Sequence, residues 1–275
     1  MYREYWNLRE KPFENTPNPE HVYLSMQHEE AFSRVLYVIR QKKGAAVITG
    51  EYGAGKTLLT RMLLRELATG SYQTALVLNP MLSPTQLIRE IMHQLGEKDG
   101  LSVSKAELFN RLNQLLVEIK EKGKSTVIII DEAQAIRSSA NFEEFRLLLN
   151  FQLDNGFLLT ILLFGQPELK EKIEKLPQLK QRLALRFHLK GLSRAETREY
   201  LSYRISSAGG NPEIFLEEAV EEIYNYSRGI PRMINNLCDL CLLIGSGKAL
   251  KNIERRLVEK VVADLERGEW EEKKA

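Results

Sequence analysis

The sequence predicts an α/β protein in two parts: a five-stranded parallel sheet flanked by helices, then a small all-helical lid domain. Three observations carry this. From residue 44 to 190, short β-branched runs alternate with amphipathic segments, the pattern of βαβ units whose sheet is covered on both faces. After Gly191 the strand signal stops and four helical patterns follow in a row. Between the first strand and the first crossover helix lies a glycine-rich stretch, Gly50-Glu51-Tyr52-Gly53-Ala54-Gly55-Lys56-Thr57.

Residues 1–43 form an N-terminal arm and a first helix. The opening 25 residues carry Trp6, Pro12, Phe13, Pro17, Pro19 and Tyr23, too many prolines for a helix and no alternation for a strand, so they read as an ordered arm laid over a core. In the core, residues 44–190, strands are expected at Ala45 to Thr49, Thr74 to Leu78, Thr126 to Ile130, Leu158 to Phe164 and Leu185 to Leu189. Apolar residues at three- and four-residue spacing place helices at Leu58 to Ala68, Pro84 to Leu95, Ser104 to Lys122 and Phe142 to Leu153. The lid, residues 191–268, reads as helices at Ser193 to Ser207, Leu216 to Ser227, Pro231 to Ile244 and Asn252 to Leu265, and Ser193 with Glu196 makes a capping box at its start. Residues 269–275 form a charged tail, and no internal repeat is visible.

The chain's 275 residues, 43% apolar and 28% charged, suffice to bury roughly 75% of the extended surface, which excludes disordered, collagenous and disulfide-scaffold classes. A net charge of +2 excludes a uniformly basic nucleic-acid coat and leaves room only for a local patch. Its two cysteines, Cys238 and Cys241, sit in an apolar run without a second pair or clustered histidines, and read as buried thiols in a reducing compartment. His21, His28, His93 and His188 are scattered, which gives a metal-centred enzyme no support. The N-terminus has no apolar core or cleavage site of a leader, and no apolar stretch approaches the ~20 residues of a span, so a cytoplasmic location without direct membrane insertion is expected.

The stretch Gly50 to Thr57 fits G-x-x-x-x-G-K-[ST] in the strand-then-helix context that makes the pattern specific. Its glycines let successive N–H groups turn toward a phosphate chain at a helix N-terminus. Lys56 reaches the β- and γ-phosphates in this reading, and Thr57 ligates Mg²⁺. Val127-Ile128-Ile129-Ile130-Asp131-Glu132 supplies the other half: a buried strand ending in two carboxylates, Asp131 for Mg²⁺ and Glu132 to orient or deprotonate the attacking water. Gln166, after the strand expected beside that of Asp131, is a candidate γ-phosphate sensor. Arg182 and Arg186 are candidate arginine fingers acting in trans, and Arg232, opposed to the dipole in the first turn of a lid helix, calls for an anion nearby, with Glu222 as the local alternative.

Taken together these motifs resemble the AAA+ ATPases, and within them the general secretion pathway protein A, or ExeA, type. The likeness runs from Met1-Tyr2, Leu8, Pro12-Phe13, Pro17, Pro19, Tyr23-Leu24-Ser25 and His28 through Asp131-Glu132-Ala133-Gln134, Leu147-Leu148-Leu149-Asn150-Phe151, Gly165-Gln166-Pro167-Glu168-Leu169 and Gln181-Arg182 to Gly229-Ile230-Pro231-Arg232-Met233-Ile234-Asn235. The resemblance implies ATP and Mg²⁺ as cofactors, a homo-oligomeric ring or filament, hydrolysis at subunit interfaces, Gln166 as sensor 1, Arg232 as sensor 2, and Arg182 ahead of Arg186 as the finger. Two features depart from the pattern: Trp6-Asn7 stands where aromatic-glycine is usual, and the sequence stops after the lid, where secretion-type members continue into a membrane helix and a peptidoglycan-binding domain. The expected partner is a protein of a secretion or envelope system.

The alternative is resemblance to the ATPase subunits that accompany a transposase and oligomerise on duplex DNA. Arg40-Gln41-Lys42-Lys43 and the cations at 170, 172, 175, 180, 182, 186 and 190 favour it. Pairs at i,i+4, Glu168 with Lys172 and Glu171 with Lys175, instead suggest an ordinary solvated helix. A non-hydrolysing nucleotide-gated scaffold is disfavoured by Glu132.

Overall fold

A computed structural model describes residues 2–15, 22–97, 104–153 and 156–267 of the chain. Pro17, Pro19, His21 and the tail 269–275 lie outside the described residues. The fold divides into two compact units, one of residues 26–51 and 55–189, the other of residues 1–25, 52–54 and 190–275.

The first unit holds the sheet. Its strands, β1 (Ala45–Gly50), β2 (Tyr72–Val77), β3 (Ser125–Ile130), β6 (Leu159–Gly165) and β7 (Leu183–Leu189), lie in the order β2-β3-β6-β1-β7, every pair parallel. The central strands β1 and β6 are buried at every residue, which is why they read as largely apolar runs, with Thr49 and Thr160 as their polar members. Strand β7 is an edge, and Leu183, Leu185 and Phe187 alternate with exposed Ala184, Arg186 and His188. Helices α2 (Met26–Arg40), α3 (Lys56–Leu67), α4 (Pro84–Gln94), α5 (Lys105–Glu121), α6 (Ser139–Leu148), α7 (Pro167–Glu174) and α8 (Pro177–Lys180) belong to the same unit. All five strands expected from the sequence are present.

One expectation fails locally. The helix read at Phe142 to Leu153 ends at Leu148, and β4 (Gln152–Leu153) pairs antiparallel with β5 (Gly156–Phe157). The apolar spacing of Leu147, Leu148, Leu149 and Leu153 mimics a helix, yet Phe151 N–H bonds Leu148 O and Leu158 N–H bonds Phe151 O, closing a turn rather than another helical step. The i,i+4 pairing expected for α7 also gives way. Lys172 Nζ instead donates to Gln134 O (2.5 Å) and Ile136 O (2.7 Å), and Glu174 pairs with Lys180.

The second unit is helical: α1 (Tyr2–Tyr5), α9 (Arg194–Ser207), α10 (Glu217–Ser227), α11 (Pro231–Gly247) and α12 (Arg255–Arg267). The capping box at Ser193 is formed, with Glu196 N–H donating to Ser193 Oγ (3.2 Å) and Ser193 N–H to Glu196 Oε2 (2.8 Å). The proline-rich arm is part of this unit's core. Trp6 Nε1 donates to Leu242 O (2.9 Å), Tyr2 OH donates to Asp239, and Arg204 holds Pro12 O (2.5 Å) and Glu14 O (2.9 Å). Tyr2, Trp6, Leu8 and Phe13 share one apolar cluster with Leu201, Ile205, Leu237, Cys238 and Leu242.

Cys238 and Cys241 are free and buried in that cluster. Burial pushes the Cys241 thiol up to about 12 and Cys238 well above its ordinary value, so both are protonated at neutral pH and poor nucleophiles. A maleimide is therefore expected to label neither thiol in the native protein and both in denaturant; rapid native labelling would show that α11 opens to solvent. Among the described residues, no helix is long and apolar enough to cross a membrane.

Candidate functional site

Three adjacent strands deliver the candidate residues. The glycine-rich loop leaves β1, Asp131 follows β3 and Gln166 follows β6, and the order β3-β6-β1 makes these neighbours at the carboxyl ends of parallel strands. In open α/β sheets that edge is where ligands bind.

The loop depends on its glycines. Gly50 has no room for a side chain, because a Cβ there would stand 2.7 Å from Leu189 O on β7. Gly55, at φ 101°, caps α3 in the left-handed region, where a Cβ would also meet the buried His28 ring at 2.5 Å. Helix α3 then starts at Lys56 with its N–H groups directed toward the loop, an anion site by construction.

Lys56 is buried, and its Nζ donates to the carbonyls of Gly50 (2.8 Å) and Glu51 (2.9 Å). Burial lowers its pKa, a shift opposed by the carboxylates of Glu132 and Asp131. Asp131 is buried too and its pKa is raised, by burial first; the Glu132 N–H (2.9 Å), the Lys56 charge and the Thr57 hydroxyl (3.5 Å) act the other way. A carboxyl with a raised pKa contributes fully to stability below its unfolded pKa and loses that contribution as pH rises through the folded value. Once ionised, Asp131 thus weighs against the fold, and a cation beside it would lift that cost. Lys56, its mirror image, is relieved by an added anion.

The fit to a magnesium ion and a triphosphate is good on these grounds. Thr57 Oγ1 and Asp131 Oδ2 are within reach of one ion, and Mg²⁺ takes one or two protein oxygens with phosphate and water completing its shell. Among the described residues there is no group of three or more His, Cys, Asp or Glu that could hold a metal ion.

Glu132 sits in the left-handed region (φ 50°) at the head of a 3-10 turn, Ala133–Ala135. Its Oε2 accepts from Gln134 Nε2 (2.5 Å) and Gln166 Nε2 (3.4 Å). Gln166 caps α7 by position, and its own N–H donates to Gln134 Oε1 (3.0 Å). Sequence reasoning assigned no role to Gln134; its place two residues beyond Glu132 on a short turn was the available signal.

The candidate fingers lie elsewhere in the same unit. Arg182, half-buried, donates to Leu149 O (3.0 Å), while Arg186 is exposed on β7 with Glu174 4.0 Å away. In the helical unit, which includes loop residues Tyr52, Gly53 and Ala54, the Arg232 guanidinium lies over the Tyr52 ring, 4.2 Å from its centre. A Cβ on Gly53 would stand 2.5 Å from that of Arg232. Glu222, the acid weighed as Arg232's local partner, is engaged by Arg255 at 3.1 Å.

Residues 39–173 match the AAA domain family. General secretion pathway protein A of Aeromonas hydrophila is 36% identical over 249 residues, covering 88% of this chain and 44% of that protein. This chain therefore spans less than half of that relative's length. Among solved structures, Cdc6p from Pyrobaculum aerophilum superposes with a TM-score of 0.69 at 14% identity, over 92% of this chain and 70% of that one. The ORC2 protein of Aeropyrum pernix gives 0.66 at 17%, over 93% and 71%. The fold is theirs. The chain belongs to the AAA+ ATPases of the General secretion pathway protein A (ExeA) type.

Proposed function

We propose that the chain binds and hydrolyses Mg-ATP at Gly50 to Thr57 and oligomerises, as a ring or filament, to act on a protein partner of a secretion or envelope system. The observation that carries this is the convergence, at three neighbouring strand ends, of a buried lysine, a buried carboxylate beside a threonine hydroxyl, and a second carboxylate held by two amides. A magnesium ion would supply charge neutralisation at the phosphates. The chain's own groups do the rest: loop N–H groups and Lys56 bind and orient the phosphates, Thr57 and Asp131 hold the ion, Glu132 takes the proton of the attacking water, and Gln166 reads the γ-phosphate. Arg232, stacked on the loop residue Tyr52, is the second sensor.

Oligomerisation would bring an arginine from a neighbouring subunit to the transition-state charge. Arg182 is the first candidate and Arg186 the second. Arg182→Ala and Lys56→Ala are each expected to be inactive alone, and mixing them should restore turnover, because a mixed interface pairs an intact pocket with an intact finger. No recovery at any mixing ratio would sink the trans arrangement. The relative's name favours a secretion client; a cytoplasmic site of action, where ATP is available, belongs to the same proposal. ATP-dependent assembly on duplex DNA, weakening steeply with salt, would transfer the client to a transposase instead.

A further inference from the structure

The base proposed for water activation has a tighter partner than the sensor beside it. Gln134 Nε2 stands 2.5 Å from Glu132 Oε2, while the amide of Gln166 stands 3.4 Å from the same oxygen, at the outer limit of a hydrogen bond. The other end of the Gln134 carboxamide accepts the Gln166 N–H at 3.0 Å. Only one orientation of the amide satisfies both neighbours, since a carboxylate can only accept and an N–H only donate. One side chain therefore joins the head of the 3-10 turn to the N-cap of α7.

The surroundings are built to keep it there. Gly165 leaves space for the carboxamide, because a Cβ at that position would stand 2.9 Å from Gln134 Oε1 and 2.8 Å from Leu169 Cδ2. Lys172, one turn into α7, ties down the backbone on both sides of the turn through Gln134 O and Ile136 O. Half-buried, with both backbone and side chain engaged, Gln134 has little freedom to move. Gln166 keeps its backbone bond to Gln134 whichever way its own side chain turns.

We infer that Gln134 is the positioning residue that aims Glu132 at the attacking water, and that it leaves the Gln166 side chain free to exchange Glu132 for the γ-phosphate without loss of that aim. The inference rests on the reading of Glu132 as the base and assigns the control of that base to a residue which touches neither nucleotide nor water. A hydrogen bond from a fixed amide confines the carboxylate to one orientation, and misplacement of a catalytic group by about 1 Å can cost on the order of 100-fold in rate.

Two variants separate aiming from mere structural tying. Gln134→Glu retains an acceptor for the Gln166 N–H and loses the donor to Glu132. Gln134→Met keeps the length of the side chain and loses both. With the full chain, steady-state ATP hydrolysis and binding of a non-hydrolysable ATP analogue are measured for each, beside the wild type. The expected result is a kcat lowered at least tenfold in both, with KM and analogue affinity within about twofold of wild type, since the binding groups are untouched. A Gln134→Glu variant at wild-type kcat, or a parallel loss of analogue binding and turnover, would overturn the inference, as would failure of both variants to fold. A wild type that binds ATP without turning it over removes the functional reading and this inference together; an active wild type with an equally active Gln134→Glu removes this inference alone.

Discussion

Glu132→Gln is expected to bind ATP as the wild type does and to hydrolyse it at least ~100-fold more slowly, the usual contribution of a positioned general base. The substitution is nearly isosteric and leaves Asp131, Thr57 and Lys56 in place, so the phosphate and metal contacts survive. The basic carboxylate is lost, while the amide oxygen can still accept from Gln134 and Gln166. An analogue-binding assay paired with single-turnover hydrolysis reads the two effects separately. Unchanged turnover would take Glu132 out of its role and leave Asp131 as the one acid at the strand end.

Gly229→Ala is expected to have the largest effect on stability. Gly229 lies at φ 74°, and a Cβ there would stand 1.9 Å from Leu192 O, while Gly191 on the facing segment would place its own Cβ 2.1 Å from Arg228 O. The two segments meet backbone to backbone, tied by Leu192 N–H donating to Gly229 O at 2.8 Å. No flexible side chain is available to yield. Strain and displacement together should cost about 3 kcal/mol or more, a large share of a domain's stability. Gly247→Ala in the same unit is the control, since nothing stands within 4 Å of a Cβ at the end of α11. Urea denaturation should show a much lower midpoint for the first and little change for the second; equal midpoints would mean that the backbone contact relaxes freely.

The sheet and the core of the candidate site were legible because both depend on short stretches of chain. A strand buried on both faces is mostly apolar and β-branched, and a loop that wraps phosphate needs glycines at fixed spacing, so β1, β3, β6 and Gly50 to Thr57 are visible without a structure. What escaped depends on tertiary partners. Lys172 shows helical spacing from Glu168, yet its ammonium reaches two carbonyls on another turn, those of Gln134 and Ile136. The turn at Phe151 lies under leucines whose spacing fits a helix equally well. Gln134 carries no pattern of its own; its meaning comes from Gly165 and Gln166, some thirty residues away in sequence and adjacent only through the pairing of β3 with β6.

The arm's membership in the helical unit also bears on how the chain is made. Trp6 is synthesised well before its partner, since the carbonyl it bonds, that of Leu242, lies 236 residues downstream. Until α11 has been made, Tyr2, Trp6, Leu8 and Phe13 have none of the α11 side chains that later bury them. Contacts of such high sequence separation form late. A nascent chain thus carries an adhesive aromatic segment until α11 arrives, the period when chaperone capture of that segment would matter most.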